Sequence, residues 1–226
     1  MFILITTYYK SSHEIRQKEI DDCLINNFNN KYIKKIYLLN DSVYELNFIN
    51  DLNNKITQIV VDDENKERLG FDYAFGYVNN SLSGEKCIIS NSDIYFDSTL
   101  ELLKEYDFES KCLALTRYDD NKLKFKSNSQ DSWIFQSPIN IDLSNLNFKF
   151  GHPGCDSRIN QIIKDSGYHI INPCLSIKTH HLHSSGIRNY TEKNRIGGKY
   201  LYLDFCKLWF NKKLFYNFIY IYNIYV

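Results

Sequence analysis

Neither sign of charge is in excess in this sequence. Its 27 basic and 27 acidic residues give a formal net charge of zero, so no global field gathers a polyanion and nucleic acid is not an expected partner. Paired cysteines are lacking too. The six, Cys23, Cys87, Cys112, Cys155, Cys174 and Cys206, are scattered with no C-x-x-C pair. Several lie in apolar runs, where a free thiol behaves as a small hydrophobe, and reduced cysteines in a cytoplasmic compartment are expected. The first residues, Met1 to Tyr9, have neither the basic n-region nor the length of apolar core that a signal peptide needs. They read as a first buried strand.

What is present is material for a core. With 226 residues, 43% of them hydrophobic and 15% aromatic, the chain is long enough to bury a large interior as one domain, or as a domain with an appendage. Strand-like and helix-like patterns alternate: a strand Phe2 to Tyr8, a helix Ser12 to Phe28, strands Lys35 to Asp41, Ile56 to Asp62 and Cys87 to Ser90, with a helix Glu67 to Leu82 before the last of them. The first helix carries Ile15, Ile20, Cys23, Leu24 and Phe28 roughly on one face, with Ser11 or Ser12 as its cap. Such alternation predicts an α/β fold with a mostly parallel central sheet flanked by helices.

Each strand ends in polar residues: Thr6 and Thr7 before Tyr8, then Asp41, Asp62 and Asp63, then Asn91, Ser92 and Asp93. In an open α/β sheet these ends line one crevice, the expected ligand site. The plainer reading of Asn91-Ser92-Asp93 is an Asx-turn, with Asp93 or Asp97 capping a helix that begins near Ser98.

Further along, Lys111 to Tyr118 reads as another strand, followed by a polar hairpin-like loop from Asp119 to Gln130 and then by Asp131-Ser132-Trp133-Ile134-Phe135. Gly151-His152-Pro153-Gly154 forms a tight loop that puts Asp156 at the start of a helix running to about Asp165, where its plain role is an N-cap. In Lys178-Thr179-His180-His181-Leu182-His183, an extended chain places His181 and His183 on one face and His180 on the other. Two neutral imidazoles beside Asp93 suit a borderline cation.

Asn91-Ser92-Asp93 after a buried strand resembles the DxD motif of GT-A nucleotide-sugar glycosyltransferases, with His181 or His183 resembling the histidine that completes their metal site. The set Gln130-Asp131-Ser132-Trp133-Ile134-Phe135, Gly154-Cys155-Asp156, Asn172-Pro173-Cys174 and His181-Leu182-His183 is similar to small viral and bacterial GT-A-like proteins, among them the amino-terminal rhamnosyltransferase domain of a large algal-virus protein. The resemblance spans about residues 1 to 195, and Asn91 departs from it by replacing the first Asp.

The resemblance implies a GT-A-like domain over residues 1–198, located in the host cytoplasm if the protein is viral. It implies a UDP-sugar or other nucleotide diphosphate sugar as donor, and a glycan or other hydroxyl as acceptor. A divalent cation on the diphosphate is implied as well. Asp93 with His181 and His183 favours Mn2+ over Mg2+, because imidazole is a poor ligand for the harder ion. Thr6, Thr7, Tyr8, Asp41, Asn91 and Ser92 are donor-side candidates, and Arg68, Lys178 and Arg188 are candidates for the remaining phosphate charge. In an inverting reaction the acceptor needs a carboxylate base, for which Asp156 is the first candidate and Asp131 the second. In a retaining reaction either would bind hydroxyls instead.

Two other readings stand beside this one. A nucleotidyltransferase also uses a nucleotide, a metal and an α/β sheet, but would bring a Gly-rich basic loop after strand one, where Thr6-Thr7-Tyr8-Tyr9-Lys10 has no glycine. The other is a catalytically inactive sugar-nucleotide or glycan-binding module. Residues 199–226 form an aromatic appendage, with Leu201, Phe205, Leu208, Trp209, Phe215 and Tyr216 approximating one helical face. It is too short and too interrupted by Lys and Asn to span a bilayer. A helix docked on the core is favoured over membrane-surface or subunit contact.

Overall fold

Both faces of the central sheet are covered, which is why its strands read as nearly unbroken apolar runs. A computed structural model describes residues 1–49, 54–187 and 191–208. In chain order it has β1 (Phe2–Thr6), α1 (Glu14–Asn29), β2 (Ile33–Asn40), β3 (Ile56–Val60), a short α2 (Asp63–Lys66), α3 (Phe71–Ser81), β4 (Lys86–Ser90) and β5 (Ile94–Phe96). There follow β6 (Lys111–Leu115), β7 (Tyr118–Asp119), β8 (Lys122–Leu123), β9 (Ser132–Gln136), α4 (Cys155–Asp165), β10 (His169–Ile171) and β11 (Thr179–His181). The expected α/β architecture with a mostly parallel sheet is the one observed.

Seven strands form the main sheet in the order β10-β6-β9-β4-β1-β2-β3, and β5-β11-β7-β8 form a second, smaller one. In the main sheet only β9 runs against its neighbours, β4 and β6. The chain builds outward from β1 through β2 to β3, then crosses back to place β4 on the other side of β1. That reversal between β1 and β4 is a topological switch point, where an open sheet splits its crossovers and leaves a crevice beyond the strands' carboxyl ends. Because β9 is reversed, Asp131 before it arrives at the rim where Asn91 leaves β4.

Alternation along the strands splits the core in two. On one face Ile3, Ile5, Cys87, Ile89, Trp133 and Phe135 pack on α3 and α4. On the other, Phe2, Leu4, Ile88, Leu113 and Ile134 pack with Ile20 and Leu24 of α1 and with Ile94 and Phe96 of β5. Each large side chain fully removed from water contributes about 1.5–3 kcal/mol.

Several local expectations are corrected. α1 is capped at His13 without a side-chain hydrogen bond, so neither Ser11 nor Ser12 serves. Its buried residues are Arg16, Glu19, Ile20, Cys23, Leu24 and Asn27, while Ile15 is 64% exposed. The expected helix Glu67 to Leu82 begins at Phe71, leaving Arg68 in the connection before it. Asp97, not Asp93, caps the 3-10 turn Ser98–Leu103. At the carboxyl end, 201–208 are not helical: Phe205 makes a parallel bridge to Asn172 beside β10, and Leu203 and Leu208 are buried. Trp209, Phe215 and Tyr216 lie outside the described residues. No helix among the described residues is long and apolar enough to cross a membrane.

Candidate functional site

Beyond β4 the chain turns through Asn91 and Ser92, with Ile94 N donating to Asn91 O at 3.4 Å, and this turn delivers Asp93 to the crevice side of β5. Asp93 is 9% exposed. From α1, Arg16 NH2 donates to Asp93 Oδ2 at 2.8 Å. From β11 and the residues after it, His181 Nε2 stands 3.3 Å and His183 Nδ1 3.8 Å from the same oxygen. Asp93, His181 and His183 each offer a ligand atom, and these atoms lie within 4.8 Å of one another. Strand alternation has the predicted effect: the His181 and His183 rings stack, centroids 5.1 Å apart, while His180 pairs with Asp97 at 3.0 Å and stacks on Tyr95.

His181 is held from both sides. β11 lies between β5 and β7, which sets His181 abreast of Asp119, and His181 Nδ1 is 2.8 Å from Asp119 Oδ1. Both ring nitrogens therefore face carboxylate oxygens. A neutral imidazole has one proton, and once Nδ1–H is given to Asp119 the Nε2 lone pair confronts Asp93 Oδ2. That confrontation is relieved by a second proton or by a cation. Burial alone would lower the His181 pKa, but the contacts with Asp93 outweigh it and raise the ring above its usual value. Burial would likewise raise Asp93, yet His181 and Arg16 hold it well below the carboxylate range.

These residues fit a divalent cation. A carboxylate and two imidazoles, one oriented by a carboxylate behind it, form the donor chemistry of a first-row transition ion. Burial and then the Arg16 charge lower the His183 pKa, which favours the neutral ring.

The same hydrogen-bond network reaches a second carboxylate pair. Arg117 Nε donates to Asp119 Oδ1 at 3.2 Å, and Arg117 NH1 lies 2.9 and 2.7 Å from the two oxygens of Asp131. Asn91 Nδ2 also donates to Asp131 Oδ1 at 3.0 Å. Asn91 thus serves Asp131 rather than Asp93. Asp156 sits in the first turn of α4, whose N-cap is Gly154, not Asp156. Gly154 has φ +84°, and a Cβ there would stand 2.7 Å from the Tyr200 hydroxyl, so only glycine fits this entry to the helix. Asp156 Oδ1 accepts from the Cys155 thiol at 3.1 Å. Burial, and then the Asp131 charge, push the Asp156 carboxyl well above its ordinary range.

A buried polar chain fixes this end of the crevice. Trp133 Nε1 donates to Asn160 Oδ1, Asn160 Nδ2 to Gln130 Oε1, and Gln130 Nε2 and Asn172 Nδ2 both donate to Thr116 Oγ1, at 2.7 to 3.2 Å. It ties α4, β9 and the end of β6 together around Asp131.

The remaining predicted residues are placed as follows. Thr6 is buried at the end of β1, its hydroxyl without a partner, as is that of Ser132 on β9. Thr7 and Ser92 are half-buried. The Tyr8 ring is in the core against Tyr44 and Phe48, its hydroxyl bonded to Asp21 at 2.8 Å, and Asp41 accepts from Tyr44 at 2.6 Å. Arg68 donates to Phe150 O at 2.9 Å, beside the loop that leads to Asp156. Lys178 lies over Tyr118, on the strand face of His180 rather than that of His181. Arg188 lies outside the described residues. A shallow depression of about 440 Å³ beside Gln17, Asp21 and Phe48 shares no residue with the Asp93 cluster.

The residues that sequence reasoning missed are Arg16, Glu19, Arg117 and Asp119. For the first two a signal existed: Arg16, Ile20, Cys23 and Asn27 share one helical stripe, with Glu19 beside it.

No protein-family model matches the chain, and no curated protein matches it. Among solved structures, it resembles the mannosyltransferase PcManGT from Pyrobaculum calidifontis in complex with GDP-Man and Mn2+ (13% identity, TM-score 0.48, 76% of this chain and 54% of that one). It also resembles S. aureus TarS (14%, 0.49, 81% and 37%) and the inositol-1-phosphate CTP transferase from T. maritima (12%, 0.45, 83% and 91%). The chain spans about half the length of the first and about a third of the second. Fold does not choose a function; the chemistry of the site does.

Proposed function

We propose that this protein is a cation-dependent glycosyltransferase that moves a sugar from a nucleoside diphosphate donor, UDP-linked by preference, to a hydroxyl acceptor. The observation that carries the proposal is His181, oriented by Asp119 and aimed with His183 at Asp93, at the switch-point rim of the sheet. Asp93, His181 and His183 would hold the cation, and two imidazoles in three donors favour Mn2+ over Mg2+. When bound, it would neutralise negative charge gathering on the departing diphosphate.

The chain's own residues supply the rest. Asp156, its pKa raised, is suited to accept the acceptor hydroxyl's proton as that oxygen bonds to the sugar's anomeric carbon and the bond to diphosphate breaks, in an inverting displacement. Asp131 is less suited to be the base, because Arg117 and Asn91 occupy its oxygens. Its charge instead adds to burial in raising the Asp156 pKa. Nucleotidyl transfer is less well supported, since the loop after β1 lacks the glycines that would wrap a triphosphate.

Asp93→Asn should fold and lose cation-dependent binding of UDP, measured by calorimetry with and without Mn2+. Unchanged affinity in a folded variant would overturn the site. Incubation with nucleotide sugars separates the reaction classes: release of nucleoside diphosphate supports glycosyl transfer, whereas release of nucleoside monophosphate or pyrophosphate contradicts it.

A further inference from the structure

Resting on the cation site proposed above, we infer that Arg16 is its built-in counter-ion, an exchangeable guanidinium that competes with the divalent cation for Asp93 and His183. Arg16 NH2 donates to Asp93 Oδ2 and Arg16 NH1 lies on His183 Nδ1, each at 2.8 Å. A lone pair that accepts an N–H cannot at the same time coordinate a metal. The guanidinium therefore occupies one acceptor position on Asp93 Oδ2 and the Nδ1 of His183, and a cation seated at those positions must displace it. Arg16 is itself 8% exposed, and without it the buried Asp93 charge would lose, beside His181, its second stabilising partner.

The guanidinium also has acceptors outside the cluster. Glu19 Oε2 is 3.1 Å from NH1, the Tyr9 hydroxyl 3.3 Å from Nε and Leu182 O 3.4 Å from NH1. These contacts do not involve the cation ligands, so Arg16 can release Asp93 and His183 and remain paired. Glu19 is itself clamped by Ser185 N at 2.7 Å and by the Ser184 and Ser185 hydroxyls at 2.9 Å. The residue that would take up Arg16 thus also anchors the chain just beyond His183. Cation binding becomes an exchange whose affinity is set by how firmly Glu19 draws Arg16 away.

The test uses the full chain and Mn2+ alone, with free Mn2+ followed by electron paramagnetic resonance and folding by circular dichroism. Arg16→Gln should bind Mn2+ at least about tenfold more tightly than wild type, the factor expected when a charge-assisted hydrogen bond no longer has to be broken. Glu19→Gln keeps Arg16 but weakens its alternative partner, and should bind Mn2+ several-fold more weakly. It decides the matter if Arg16→Gln does not fold. Equal or weaker binding in Arg16→Gln, or unchanged binding in Glu19→Gln, overturns the exchange while leaving the site intact, provided Asp93→Asn has lost Mn2+. Wild-type Mn2+ affinity in Asp93→Asn sinks the cation site itself, whatever Arg16 does.

Discussion

Asp93, which is buried, and Asp156, which is half-buried, are both carboxylates at one rim of one sheet, and their surroundings drive them in opposite directions. Asp93 meets Arg16 and His181 and is held ionised far below the usual carboxylate range. Asp156 accepts from the Cys155 thiol, and burial and then the nearby Asp131 charge raise it. The difference lies in who else is present, since burial would raise both. Two carboxyls with separated pKa values can take two roles, one a fixed negative charge for a cation and the other a proton acceptor. Arg117 joins the two halves, with one nitrogen on Asp131 and another on the Asp119 that orients His181.

If the two ends are functionally distinct, variants at each should separate. The largest effect is expected from Asp156→Asn. Gly154 is the cap of α4, so this change leaves the helix entry alone, and it should reduce transfer by about 10²–10⁴-fold, the range for loss of a positioned base. Mn2+ affinity should stay as in the wild type. Near-normal turnover in a folded Asp156→Asn protein would remove the base assignment. Loss of Mn2+ binding there would show that the two ends are one unit.

A smaller effect is expected at the other end. Asp119→Asn keeps an acceptor for His181 Nδ1 but removes the charge behind the ring. Second-layer substitutions of this kind weaken metal affinity about 10–100-fold, and the retained amide oxygen places the expectation near the lower figure. A Mn2+ titration that does not distinguish Asp119→Asn from wild type would mean that His181 is not a ligand.

Much of this arrangement is readable from the chain, and the unreadable parts share a cause. The strands are legible because both sheet faces are covered, and Asp93, His181 and His183 because an extended chain repeats every two residues. Arg16 and Glu19 are hidden by a choice of face. A face drawn through Ile15 leaves Arg16 at its edge, whereas one drawn through Ile20, Cys23 and Asn27 centres on Arg16 and keeps Glu19 beside it. Asp119 is not legible in a polar loop, because its importance depends on β7 pairing with β11, some sixty residues later. Gln130, Trp133 and Asn172 stood out as part of a resemblance. The structure shows that they hydrogen-bond in a scaffold around Asp131. The non-helical course of 201–208 goes with the bridge to Asn172, a tertiary contact that overrides an amphipathic helical pattern.

A further effect, on stability, bears most directly on the contrast between the two carboxyls. A carboxyl whose folded pKa lies above its unfolded value of 3.8 favours folding while protonated. Its contribution is fully present below that unfolded value and is lost as pH rises through the raised folded one. Asparagine does not ionise. Asp156→Asn should therefore match wild type near pH 4 and become progressively more stable than it as pH rises, levelling off once the folded carboxyl has ionised. Each unit of pKa difference is worth about 1.4 kcal/mol, and for a chain of this size each kcal/mol is about 2–4 °C in Tm. Asp93→Asn should do the reverse. Its carboxylate has a lowered folded pKa, so the stability it gives is present above the unfolded value and is lost only in strong acid. Removing it should cost stability throughout the neutral range. Thermal melts of the two variants from pH 4 to 9 should diverge in opposite directions from wild type, and parallel curves would show that the two carboxyls do not differ in the way their neighbours imply.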